Sequence, residues 1–209
     1  AAAAHAAGLD FTAMRRDSQR LRDRLLGGLT RDDLLAFAAR LAGVGDFVTL
    51  DIGGTSADVA FVNDGTPRIS QSEHVADFPL LMPVVGVSSI GAGGGSIISV
   101  DEAGVMRIGP KSVGSEPGPA CYGRGGTVAA VTDAFLLGGF LNPERFAGGR
   151  LRLSVEAARQ AMAPHAERLG RGTAETVEAV IQVAASSIYA ELSNLAAKQG
   201  LSIQEYALL

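Results

Sequence analysis

The stretch Phe47–Val62, FVTLDIGGTSADVAFV, limits what this chain can fold into more than any other. Val48, Leu50 and Ile52 alternate before the centre, and Ala57, Val59 and Phe61 alternate after it. That period of two predicts a pair of strands joined by Gly53-Gly54-Thr55-Ser56. Asp51 precedes the glycines and Asp58 follows them. Glycine lacks a Cβ and tolerates positive φ, so such a turn can bring several backbone N–H groups to one anion. Thr55 and Ser56 add hydroxyl donors. A carboxylate repels a bare phosphate but can hold Mg²⁺, so acid, glycines and hydroxyls together suit a metal-bound nucleotide phosphate. A tight hairpin with both aspartates solvated satisfies the same residues, and composition alone leaves the two readings open.

A second glycine cluster lies in SIGAGGGSIISVD, Ser89 to Asp101. Ile97-Ile98-Ser99-Val100 reads as a strand, so the cluster lacks the following helix of a dinucleotide fingerprint. No Gly-Lys-Ser/Thr follows, which excludes a P-loop. Glycines this dense are unfavourable unless the backbone must approach something closely. Gly93 and Gly94 are therefore candidate cofactor contacts, with a tightly packed turn as the other reading. The loop GSEPGPACYGRGG, Gly114 to Gly126, is punctuated by prolines. Its Cys121 has no neighbouring histidine to activate it, so a packed thiol is expected rather than a nucleophile. Asp133 ends a short apolar run ahead of a helix-like segment, where it can cap the helix or reach metal or substrate. His5, His74 and His165 show no ligand spacing, and no zinc motif or Ser-His-Asp arrangement can be read.

The chain has 209 residues, 47% of them hydrophobic, and a net charge of −4. It can bury a real core, and its mild acidity argues against a nucleic-acid partner. The arginines between Arg15 and Arg24 are interleaved with Asp17 and Asp23, as on a solvated helix face. A single cysteine permits no internal disulfide and fits a cytoplasmic location. No apolar run approaches the roughly 18 residues of a membrane span. The start, AAAAHAAGLD, has no initiator Met and is not a convincing signal peptide, as expected of a piece of something longer. Residues 1–46 read as a helical segment, with helices within Ser18–Leu41 and Thr30 as a cap. Residues 47–135 read as strands and glycine loops, with a turn at Asn63–Pro67, and 136–209 as mainly helical. Ser154 caps a helix that Pro164 limits or bends; Thr173 caps a long helix to Gln199 with Val177, Val180, Ile181, Ala184, Ile188, Leu192 and Leu195 on one face. Gly200 stands at its stop, and Ser202–Glu205 resembles a capping box opening another helix.

LDIGGTSADVAFV, SIGAGGGSIISVD, VGSEPGPACYGRGG, VTDAFLLGGFLNPERFAGGRL and GLSIQEYALL, in this order, resemble the hydantoinase A / 5-oxoprolinase family, which also includes a subunit of acetone carboxylase. The resemblance runs from about Leu35 to Leu209. It implies an α/β (mixed α+β) fold, one incomplete lobe of an actin-like ATPase of the heat-shock-chaperone and hexokinase type. It implies ATP and Mg²⁺ as cofactors, and the opening of a cyclic amide (a hydantoin or 5-oxoproline) through phosphorylation of its carbonyl oxygen. On that resemblance Gly53, Gly54, Thr55 and Ser56 contact terminal phosphates, Asp51 orients Mg²⁺, and Asp133 joins Asp51 as a catalytic candidate. A second, hydantoinase B-type subunit and an oligomeric assembly are the implied partners. The family pattern also has an upstream glycine hairpin and a downstream adenosine motif that this sequence does not contain, so catalysis by this chain alone is not expected. Gly86 and Ser88 stand where the family commonly has Asp and His or Asn. They favour an alternative reading as a degenerate binding or assembly subunit; a carboxylase-type ATP-using subunit is another.

Overall fold

The computed structural model describes residues 43–70, 74–75, 78–79, 84–85 and 87–209. The helices expected within Ser18–Leu41, His5 and Gly86 lie outside the described residues. The chain divides into two compact units: one runs to Leu50, resumes over Val59–Ser88 and ends with Gln204–Leu209; the other comprises Asp51–Asp58 and Ser89–Ile203.

The first unit is built on a sheet of order β11-β1-β2-β3, with β1 at Phe47–Ile52, β2 at Ala57–Asn63, β3 at Thr66–Pro67 and β11 at Ala207–Leu208. Phe47 and Val62 are fully buried, with Val44 packed against them. The expected strands are present, but their faces differ from a simple alternation. Phe47, Val48 and Thr49 are all buried, and Ile52, which alternates with Val48 and Leu50, is 46% exposed. The Thr49 hydroxyl is tied to Ala60, accepting from its N–H at 3.1 Å and donating to its carbonyl at 3.3 Å. A polar side chain is thereby satisfied inside the sheet. The expected turn at Asn63–Pro67 tightens to Asp64-Gly65, with φ of 48° and 67°, the positive-φ pair that matches strand twist in a two-residue hairpin.

The helix expected from Ser202–Glu205 does not form. Ile203–Glu205 is a single 3₁₀ turn, after which Ala207–Leu208 pairs parallel with Phe47–Val48. Ala207 donates to Asp46, Leu209 donates to Val48, and Leu50 donates to Leu209, all along one edge of β1. Tyr206 sets its ring edge-on to Phe61, 5.5 Å between centroids, and its hydroxyl on the Asn63 amide. A helical nucleus fixes several dihedrals for its first bond, so these ladder bonds and the half-buried Tyr206 ring outweigh a short capping-box signal. The short strands β4 (Ile69–Ser70) and β7 (Val84–Val85) pair with each other, as do β5 (His74–Val75) and β6 (Phe78–Pro79). Strand β8, Val87–Ile90, pairs with β2.

In the second unit, β9 (Ser96–Val100) and β10 (Met106–Ser112) form an antiparallel hairpin covered by α1 (Val131–Leu137), α2 (Val155–Leu169) and α3 (Thr173–Lys198). Ile98, Ala134, Met162, Val177 and Val180 share one core. The Ser154 hydroxyl accepts from Ala157 at 3.1 Å, as a cap should. Pro164 lies inside α2 without ending it; burial of Ala158, Ala161, Met162 and Ala166 holds the helix through the missing N–H. Helix α3 begins at Thr173, so the cap is Gly172 rather than Thr173. The Glu175 carboxylate accepts from the Gly172 N–H at 3.2 Å, and the Thr176 hydroxyl donates to the Gly172 carbonyl at 3.0 Å. The apolar face of α3 packs as expected, with Val177, Val180, Ala184 and Leu192 buried, and Gly200 takes φ 70° just beyond the helix.

Candidate functional site

The turn between β1 and β2 is closed by a hydrogen bond from the Gly53 N–H to the Ser56 carbonyl, 2.8 Å. Gly53, Gly54 and Thr55 are exposed, and Asp51 and Ser56 are half-buried. A Cβ added at Gly54 would meet nothing within 4 Å. Among the described residues, none accepts from the backbone N–H of Gly54, Thr55 or Ser56. Asp51, at the end of β1, and the hydroxyls of Thr55 and Ser56 belong to this same short segment.

The second glycine turn packs directly on the first. Gly94 donates to the Gly53 carbonyl at 2.9 Å, and Gly95 to the Gly54 carbonyl at 2.6 Å. A Cβ at Gly93 would fall 2.6 Å from the Thr55 carbonyl carbon and 2.7 Å from the Ser56 nitrogen; one at Gly95 would fall 2.7 Å from the Gly54 carbonyl oxygen. Glycine is required here because one backbone lies on another. The N–H of Gly93 is held by the Ser96 hydroxyl at 3.0 Å, and that of Gly94 by the hairpin. Both candidate contacts therefore have their donors spent inside the protein. β9 follows the turn directly, in keeping with the exclusion of a dinucleotide fingerprint.

Asp133 is the third residue of α1 rather than a residue ahead of it, and it is 0% exposed. One carboxylate oxygen accepts from Ala130 at 2.8 Å and Ala120 at 3.3 Å; the other accepts from Cys121 at 2.7 Å. Of the two roles open to it, capping is the one seen. The carboxylate ties the Gly114–Gly126 loop to the start of α1. Thr132 beside it, absent from the candidates that the sequence offers, holds the Gly94 carbonyl twice, through its N–H and its hydroxyl, both at 2.8 Å. Its only signal in the sequence is a Thr-Asp pair at a helix start. The Cys121 thiol is fully buried against Leu136, Leu153 and Ala158. Burial, reinforced by the Asp133 carboxylate, pushes the thiol well above its ordinary range, so it is a packed group and not a nucleophile. Half-buried His165 is lowered from its usual value, by burial and then by Arg168.

Among the described residues, no group of three or more His, Cys, Asp or Glu could hold a metal ion. A site of one carboxylate completed by phosphate oxygens and water is the mode Mg²⁺ prefers, and Asp51 beside the hairpin donors fits it. Among the described residues, no helix is long and apolar enough to cross a membrane.

Residues 34–209 match the hydantoinase/oxoprolinase family model. The chain is 33% identical over 168 residues to the caprolactamase subunit alpha of Pseudomonas jessenii, covering 80% of this chain and 24% of that one. It is 40% identical over 147 residues to the acetophenone carboxylase gamma subunit of Aromatoleum aromaticum, covering 69% of this chain and 20% of that one. Among solved structures it superposes on the ATP-dependent caprolactamase of Pseudomonas jessenii with a TM-score of 0.74 at 32% identity. Nucleotide-free acetone carboxylase gives 0.72 at 26% identity. Each superposition covers 85% of this chain and 26% of the other. The chain thus spans about a quarter of the length of these relatives, and it shares their mixed α/β, actin-like ATPase fold. A family match over most of the sequence, with these relatives aligned along it, means that the chain belongs to the hydantoinase/oxoprolinase family.

Proposed function

We propose that the Asp51–Ser56 hairpin holds the terminal phosphates of Mg²⁺-ATP in an ATP-dependent enzyme that opens a cyclic amide of the hydantoin or 5-oxoproline type. The observation that carries this reading is the set of N–H groups of Gly54, Thr55 and Ser56 that find no acceptor among the described residues, beside a Gly54 whose added Cβ would meet nothing within 4 Å. Those donors and the two hydroxyls offset phosphate charge, and Asp51 orients the Mg²⁺ that neutralises the rest. Mg²⁺-ATP supplies a phosphoryl group that turns a poorly electrophilic amide carbonyl into one water can attack. Positioning and charge neutralisation carry most of such chemistry, which is what a rigid hairpin provides. Asp133 contributes by holding loop and helix together, without contact to substrate. The named relatives are subunits, and we take a second, hydantoinase B-type subunit to complete the enzyme.

Acetone and acetophenone carboxylase subunits among the relatives favour a second reading, in which the same ATP-dependent carbonyl activation precedes carboxylation. Bicarbonate-stimulated ATP hydrolysis by the complete protein would select it. The first test of the site is calorimetric titration of this chain and Gly54→Val with Mg²⁺-ATP. Weak binding that vanishes in the variant is the expected result; no binding by either form would reduce the hairpin to a turn.

A further inference from the structure

The two glycine turns are joined by peptide groups whose directions are fixed. The peptide bonds linking Gly53, Gly54 and Thr55 are trans, so the carbonyl of each residue points opposite to the N–H of the next. Gly94 takes the carbonyl of Gly53 and Gly95 takes that of Gly54. The N–H of Gly54 and that of Thr55 are thereby turned away from the second glycine turn. Gly94 is itself held from behind, its carbonyl accepting from both the N–H and the hydroxyl of Thr132. Thr132 is 7% exposed and sits in the first turn of α1, a rigid element anchored by Asp133.

We infer that the second glycine turn aims the donors of the hairpin and that Thr132 is the positioning residue that fixes this aim. The inference rests on the phosphate reading of the hairpin and adds to it a division of labour: Gly54–Ser56 meet the anion, Gly93–Gly95 meet the hairpin, and Thr132 holds Gly94. It accounts for the glycines at 93–95 without assigning those residues a ligand. It also gives the hydroxyl of Thr132 a task that the backbone N–H beside it cannot complete alone. The peptide group that carries the Gly94 carbonyl also carries the Gly95 N–H bonded to Gly54, and a second donor on that carbonyl strengthens the clamp at its other end.

The test is an amide NMR titration of the chain with Mg²⁺-tripolyphosphate, on wild type, Thr132→Val and Thr132→Ser. In wild type, the amide protons of Gly54 and Thr55 move downfield on titration, and the amides of Gly94 and Gly95 exchange slowly before ligand is added. Thr132→Val keeps the shape and removes the hydroxyl. It is expected to speed exchange at Gly94 and Gly95 and to weaken binding about tenfold, the worth of one hydrogen bond. Thr132→Ser restores both. A Thr132→Val protein with wild-type affinity and wild-type shifts at Gly54 and Thr55 overturns the positioning role and leaves the phosphate reading standing. Absence of any shift at Gly54 and Thr55 in wild type overturns the phosphate reading instead. Should Thr132→Val not fold, Thr132→Ala removes the same hydroxyl without putting a methyl in its place and is read in the same way.

Discussion

At Gly54 a methyl group would project into open space, whereas at Gly93 it would fall 2.6 Å from the Thr55 carbonyl carbon. Two turns of similar composition thus use glycine for different reasons. In the first, the missing side chain leaves open space. In the second, it lets two backbones bond directly, with no layer of side chains between them. Behind the second turn, Thr132 and Asp133 are both buried and divide the start of α1 between the glycine turn and the Cys121 loop. A glycine cluster therefore marks close approach, and only the surroundings tell whether the approaching group is a ligand or the chain itself.

The largest effect is expected on the closed side. Asp133→Ala strands the N–H groups of Ala120, Cys121 and Ala130, at about 1–3 kcal/mol for each donor left buried and unpaired. A loss of about 3 kcal/mol or more in urea unfolding is the expected outcome. A loss near zero would mean that the loop is held by something else. Next comes Gly93→Ala. Its methyl meets backbone rather than a flexible side chain, and overpacking of this kind typically costs about 1–3 kcal/mol. The same denaturation measurement checks it, and a wild-type midpoint would break the contrast between the turns.

Much of this arrangement is legible in the sequence, and the reason is locality. Period-two alternation marks β1 and β2, Asp64-Gly65 marks a turn, and the spacing from Val177 to Leu192 marks the buried side of α3. What escapes a reading of the sequence depends on partners far along the chain. Ala207–Leu208 becomes a strand only because the edge of β1 receives it, about 160 residues earlier in sequence. The hydroxyl of Thr132 finds its acceptor at Gly94, and nothing near either residue announces the pair. Asp133 can be placed near a helix start but not assigned a role, since both roles use a carboxylate at that junction. The backbone donors that its carboxylate holds include Cys121, in a loop twelve residues upstream. The role of Gly93 and Gly94 is ambiguous for the same reason: close approach is legible, but the approaching group is not.

Cys121 offers a smaller effect, set by pH. Its thiol is raised above the ordinary 9.0 by burial and then by the Asp133 carboxylate. A raised value in the folded state means that unfolding releases a proton at alkaline pH, so the contribution is present below the unfolded value and is lost as pH rises past it. Between about pH 8 and 10 the wild type is expected to lose about 1 kcal/mol that Cys121→Ala does not lose, at roughly 1.36 kcal/mol per pKa unit. Parallel stability curves for the two proteins over that range would show that the thiol is not enclosed as described.

Gly54→Ala is expected to change stability least, and it sharpens the comparison most. The position is exposed, its φ lies outside the left-handed region, and the added methyl touches nothing. Replacing glycine where the backbone already suits other residues tends to stabilise by about 0.4–1 kcal/mol, through loss of freedom in the unfolded chain. A melting temperature equal to or slightly above wild type is therefore expected, together with weakened Mg²⁺-ATP binding, because the methyl adds bulk to the exposed turn that carries the Gly54 and Thr55 donors. Gly93→Ala would show the reverse pattern, lower stability with binding lost only as far as the hairpin is displaced. If Gly54→Ala instead destabilised the protein as much as Gly93→Ala, the first turn would be a packed turn like the second. The open space at Gly54 would then have to be explained without a ligand.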